Sequence, residues 1–193
     1  MRVLLLPALL FTSGAALAHD EHYILDSDHT YPSMDVPHMG LSVFRGKFNR
    51  TTGKATINHE AHTGTIEAHI DTASVDFGHD KVNEHLRSPD FFDVEKHPEA
   101  VYRGNLVFEG DKVVAVDGEL TLLGVTKPLR LAVSQFQCVE HFYFKKPWCA
   151  GDASASLERA DFGMGKGAEN GLGWVKLQIQ FEAGLDEPAK PAG

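Results

Sequence analysis

At 193 residues the chain suits one domain with a core of its own. It carries 27 acidic against 18 basic residues, a net charge of −9, and has no basic run. That balance excludes nucleic-acid binding, which needs Lys and Arg to displace counterions, and it suits electrostatic docking on anionic lipid poorly.

Residues 1–18, MRVLLLPALLFTSGAALA, read as a secretory signal. Arg2 is the basic end, residues 3–11 the apolar run, and Ala16-Leu17-Ala18 the cleavage site. Thr12 and Ser13 break the run before it reaches the length of a membrane span, and no later stretch is long enough. The mature protein is therefore expected to be soluble, not an integral membrane protein, and periplasmic or secreted. No cysteine lies near the cleavage site, so no lipid anchor is expected there. His19-Asp20-Glu21-His22 (residues 19–22) reads as a polar mature terminus.

Residues 23–49 suggest a first hairpin, with strands at 23–25 and 30–36 around the turn Asp26-Ser27-Asp28-His29. Pro32 and Pro37 confine the second strand to an edge position or an irregular piece. Gly46 predicts a bend in a strand over 41–48. Residues 50–53 read as a turn and 54–58 as a short strand. Over 63–71, Ile66, Ala68 and Ile70 alternate with polar residues, which fits an antiparallel strand with one wet face. Val82 and Leu86 share a face of a short helix expected over 79–86.

The segment LRSPDFFDVEKHPEAVY (86–102) is the most heavily punctuated stretch. Pro89 and Pro98 oppose a long helix, so Phe91 and Phe92 are expected on a short turn, covering either a solid core or the opening of an apolar interior. Strands follow at 100–108, 112–123 and 125–136, with turns at Glu109-Gly110-Asp111 and Gly124. Residues 138–149 read as a loop carrying Phe142, Tyr143, Phe144 and Trp148. In an oxidising compartment, two cysteines this close, Cys138 and Cys149, favour a disulfide over a metal site. A strand of small residues over 153–157, a glycine-rich loop over 160–173, a cleanly alternating strand over 174–183 and a polar, disordered tail over 185–193 complete the chain.

About ten short strands, one helix and no βαβ spacing predict a single all-β domain, a closed or nearly closed antiparallel barrel. The insert over 74–98 would then sit at one mouth.

Three motifs carry a family resemblance: HLRSPDFFDVEKHP (85–98), GELTLLGVTKP (118–128) and RADFGM (159–164). With Asp28-His29-Thr30, Pro37-His38-Met39-Gly40 and Gly46-Lys47-Phe48, they resemble the YceI-like family of exported, lipocalin-like proteins, in order and spacing across residues 23–184. The resemblance implies an elongated cavity holding a polyisoprenoid or similar long-chain isoprenoid lipid, such as a quinone or isoprenyl phosphate. It implies no enzyme activity, catalytic residue or cofactor.

In a barrel of that kind, Phe44, Phe48, Ile66, Ile70, Leu120, Leu122, Leu131, Val133, Val175, Leu177 and Ile179 would line the tube. Leu86, Phe91, Phe92, Phe162 and Trp174 would lie near its ends. Residues His29, His38 and Asn83 are candidates for headgroup contact. Taken one at a time, the apolar positions favour a solid core, and it is the resemblance that turns the set toward a cavity; a secreted structural module remains an alternative. A metal- or redox-linked stress protein using His29 and His38 is another.

Other chemistry finds little support. His59-Glu60-Ala61-His62 lacks the HExxH spacing, no Gly-X-Ser-X-Gly elbow occurs, and Gly163-Met164-Gly165-Lys166-Gly167 lies between strands, not before a helix. No metal site is expected. The oligomeric state, monomer or homodimer, is open.

Overall fold

Strands that are apolar on one face bury those faces by rolling the sheet into a tube. The computed structural model describes residues 19–186 and contains, in order, β1 (Glu21–Leu25), β2 (Tyr31–His38), β3 (Ser42–Phe48), β4 (Thr51–Asn58), β5 (Thr63–Asp71), β6 (Val75–Asp76), α1 (Asp80–Arg87), β7 (Glu99–Glu109), β8 (Lys112–Leu122), β9 (Val125–Glu140), β10 (Pro147–Glu158) and β11 (Trp174–Leu185). The signal expected over 1–18 lies outside the described residues, as does the tail beyond residue 186.

The strands run β1-β4-β5-β7-β8-β9-β10-β11, and β11 returns to β1, closing an eight-stranded antiparallel barrel. β2, β3 and β6 continue the sheet from β11 as a flap beside one end. The fold class expected from alternation is the one observed.

Several local expectations give way to non-local pairing. Residues 23–49 do not begin with a hairpin: β1 pairs with β4 and the last residues of β11, and β2 pairs with β3 and the earlier part of β11. The turn between them, where the Asp28 amide donates to Asp26 Oδ1 (2.9 Å), carries the chain onward along β11. Nor is β2 an edge strand. Pro32 lies before pairing to β3 begins and Pro37 after pairing to β11 ends, so each proline has a neighbour on one side only. Thr51, Thr52 and Gly53 belong to β4, leaving a tighter turn at Asn49-Arg50 than expected.

Residues 138–149 are not one loop. β9 runs through Cys138 and β10 contains Cys149, the two residues are register partners, and their disulfide staples the ladder, leaving only residues 141–146 as the connection. Leu185, expected in the tail, is buried in β11.

Glycine permits two close approaches. A Cβ at Gly46 would stand 2.2 Å from the Phe77 ring, and one at Gly118 2.5 Å from Tyr102 Oη. Tyr102 crosses Gly118 so that its hydroxyl reaches the Leu129 carbonyl (2.9 Å), tying β7 to β9 across β8. Burial raises the pKa of that hydroxyl, so it stays a donor.

The antiparallel register sorts the connections into two ends. The upper end holds the β2–β3 tip, the insert between β5 and β7, and the β10–β11 connection; the lower end holds the β9–β10 tip. The insert is tied at its base, where Thr72 donates its amide to the Pro98 carbonyl (3.0 Å) and its hydroxyl to the His97 carbonyl (2.7 Å). Within it, Asn83 accepts the Phe77 amide (2.7 Å) and donates to Asp76 (2.9 Å), fixing the start of α1. Phe91 and Phe92 lie on a turn as expected, held by amide bonds to the Ser88 and Leu86 carbonyls (both 3.0 Å).

Candidate functional site

The inward faces of the barrel strands do not fill its interior. They enclose a cavity of about 630 Å³ that runs from Tyr23, Ile57 and Ala183 at the lower end to Met39, His85 and Lys166 at the upper end. A volume of that size suits one elongated small molecule. Period-two alternation supplies the wall: Ile66, Ala68 and Ile70 from β5, Leu120 and Leu122 from β8, Leu129, Leu131 and Val133 from β9, and Val175, Leu177 and Ile179 from β11.

The upper end is closed in part by aromatic rings. Phe92 is buried and meets Phe48 edge-on at 5.3 Å, while Phe91 packs edge-on against His85 at 4.9 Å. His38 stacks on Phe44, their centroids 4.0 Å apart.

Charge is distributed one-sidedly. The lining includes His38, Lys81, His85, Arg159 and Lys166, all near the upper end, and no Asp or Glu among the described residues. In a chain with an acidic excess, that selection is specific to the site. Arg159 is the most enclosed of the five, 9% exposed. One of its Nη atoms donates to the Met164 carbonyl (2.6 Å), and its guanidinium lies 5.9 Å from the Phe91 ring. Its Nε has no hydrogen-bond partner among the described residues, and burial lowers its pKa. A buried guanidinium with an unused donor at the end of an apolar tube can hold an anionic or strongly accepting group. Lys166, by contrast, is paired with Asp90. The Thr51 hydroxyl, farther in, also lacks a partner among the described residues.

Most of the residues expected to line the tube do so: Phe44, Phe48, Ile66, Ile70, Leu86, Phe91, Phe92, Leu120, Leu122, Leu131 and Leu177. Four expected site residues do not. Trp174 is 55% exposed, because the alternation that turns Val175 inward turns its neighbour outward. Phe162 is buried in the upper core behind the wall. Asn83 spends its amide on the Phe77 backbone N–H and the Asp76 carboxylate. His29 sits on the outer surface, 2.7 Å from Asp26, which raises its pKa. His38, on the cavity rim, alone fits the headgroup expectation by position.

Asp26, His29 and Glu182 bring one ligand atom each within 4.8 Å of one another, a group that could take a divalent cation at the surface. Glu182 also accepts the Trp148 indole N–H (2.8 Å). His29 and His38 face different sites, so they do not form one metal centre.

Sequence reasoning missed Lys81 and Arg159 as site residues and read Lys166 only as part of a glycine-rich loop. Lys81 stands one helical turn before His85, a spacing that places both on one face of α1. Arg159 opens the RADFGM motif, and only the folded barrel puts it on the same cavity lining as Lys81.

Comparison with known proteins agrees with this architecture. A UPF0312 protein of Pseudomonas aeruginosa (strain LESB58) is 31% identical over 169 residues, covering 85% of this chain and 86% of that protein. The crystal structure of a Campylobacter jejuni YceI protein superposes with a TM-score of 0.65 at 21% identity, covering 79% of this chain and 91% of that one. A structure described as a polyisoprenoid binding domain from Saccharophagus degradans superposes at 0.61 with 17% identity, covering 84% and 98%. The profile of the YceI-like domain matches residues 23–184, nearly all of the barrel with its flap and insert, and the chain therefore belongs to the YceI-like family.

Proposed function

We propose that this chain is a periplasmic carrier, not an enzyme, that holds a long-chain isoprenoid lipid with its tail in the barrel and its headgroup at the upper mouth. The observation that carries this reading is the cavity itself: apolar along its length, with every charged lining residue at one end. Burying apolar tail surface contributes about 25 cal/mol per Å², less the cost of ordering the chain. The polyisoprenoid-binding neighbour lends the ligand class. A purely basic rim favours an isoprenyl phosphate over a quinone. The periplasmic location rests on the signal read over residues 1–18.

Native mass spectrometry of gently purified protein tests the reading, followed by binding of an isoprenyl phosphate, the matching isoprenol and a quinone. A bound or accepted isoprenoid is expected. Protein that is always empty and refuses all three sinks the proposal. Arg159→Gln is expected to weaken the phosphate by about tenfold, the worth of one hydrogen bond to a charged group, and to leave the alcohol unchanged. An equal loss for both would make Arg159 a support for its loop.

A further inference from the structure

We propose that the β2–β3 tip docks the barrel on the surface of a phospholipid bilayer, with the cavity mouth turned toward the lipid. The tip exposes Leu41 at 85% and Met39 at 71%, with Val43 and Phe44 also exposed on β3. Buried or solitary apolar residues need no explanation, but four in one hairpin do. They are not carried on a loose loop. The Leu41 amide closes the turn on the His38 carbonyl (3.0 Å), Met39 and Gly40 hold positive φ, and His38 stacks on Phe44 behind them.

The patch is continuous with the cavity. Pro37, Met39 and Phe44 belong both to this hairpin and to the cavity lining, so the hairpin that exposes Leu41 and Val43 also forms part of the wall of the tube. A protein partner seated there would cover the mouth, whereas a bilayer offers an apolar interior to the tip and phosphates to the basic rim. The chain's net charge of −9 argues against docking driven by overall charge. Shallow insertion of apolar side chains needs no anionic lipid, so the bilayer chosen is a zwitterionic one. The docking does not depend on what the cavity carries.

The other exposed apolar tip provides the control. Phe142, Tyr143 and Phe144 at the lower end are exposed too, but no residue between 137 and 148 lines the cavity. The test is flotation of the purified protein with neutral phosphatidylcholine vesicles. Wild type is expected to float; Leu41→Asp with Val43→Asp, neither of which lines the cavity, is expected to cut the bound fraction about tenfold while far-ultraviolet circular dichroism stays unchanged. Phe142→Asp with Tyr143→Asp is expected to float as wild type does. A Leu41→Trp variant is expected to shift its fluorescence to the blue with vesicles. The proposal is overturned if wild type stays in solution, if the tip variant floats normally, or if flotation follows Phe142 and Tyr143. Concentration-dependent dimerisation abolished at Leu41, without vesicle binding, would also overturn it and give the tip to a second copy of the chain. Failure of lipid binding in the cavity would show separately in mass spectrometry.

Discussion

The two ends of the barrel carry the same kind of ornament, a hairpin tip with exposed apolar side chains, on different foundations. Behind the β2–β3 tip lies the cavity. Behind the β9–β10 tip lies a staple: the Cys138–Cys149 disulfide, the Trp148 indole bound to Glu182, and Lys146 Nζ donating to the Leu185 carbonyl (2.9 Å). The rings of His141, Phe144 and Trp148 pack on one another, with Phe144 and Trp148 stacked at 5.2 Å. Exposure alone would rank the two tips together. What lies behind each separates them, one as an entrance and the other as a buttress.

Three changes test that division, in descending order of effect. Phe92→Ala, at the upper end, removes a buried ring and should cost about 3–5 kcal/mol of stability. It should also weaken lipid retention in the folded fraction, read by denaturant midpoint and by lipid content. Lost stability with full retention would make the ring core filling and not a plug. Replacing Cys138 and Cys149 by Ala, at the lower end, should cost about 2–3 kcal/mol, the loop-entropy value for a short closed loop, and lower lipid retention less than Phe92→Ala does, since of the pair Cys149 alone touches the cavity. Retention that falls as far as with Phe92→Ala would erase the distinction between the ends.

The smallest effect belongs to neither end. His69, on the outer wall, has its pKa raised by hydrogen bonds to Glu67 first and Glu99 second; Arg103, 3.1 Å from Glu67, shares that carboxylate. A histidine raised on folding stabilises fully below its ordinary pKa of about 6.5 and loses that contribution as pH rises through the folded value. The difference in melting temperature between wild type and His69→Gln should therefore be greatest below about pH 6.5 and shrink as the pH is raised above it. It should be far smaller than either change above, since the group is mostly solvated. Any accompanying change in lipid retention would mean that the outer wall is coupled to the tube.

Legibility followed the range of the interaction. β5 was readable to its exact bounds, since Ile66, Ala68 and Ile70 announce their face by period two. The wall positions on β8, β9 and β11 followed from the same rule, and it would have placed Trp174 outside had it been applied one residue further. Helix α1 was legible from Val82 and Leu86. The β1–β11 pairing was not, because nothing near Tyr23 in sequence marks Leu185 as its partner. A loop was expected over 138–149, but strand pairing carried both cysteines into the ladder. The basic rim was hidden for a similar reason: Lys81 and Arg159 come from α1 and from the β10–β11 connection, and only the finished barrel brings both to one cavity.

The seam of the barrel has a consequence for how the chain is made. β11, the last strand, pairs with β10 on one side and with both β1 and β2 on the other. Until it is in place, β10 offers an open edge and the two earliest strands lack a neighbour, all three being templates for pairing with another molecule. Closure therefore awaits the synthesis of β11, and a chain cut short before Trp174 is an aggregation hazard, not a smaller barrel.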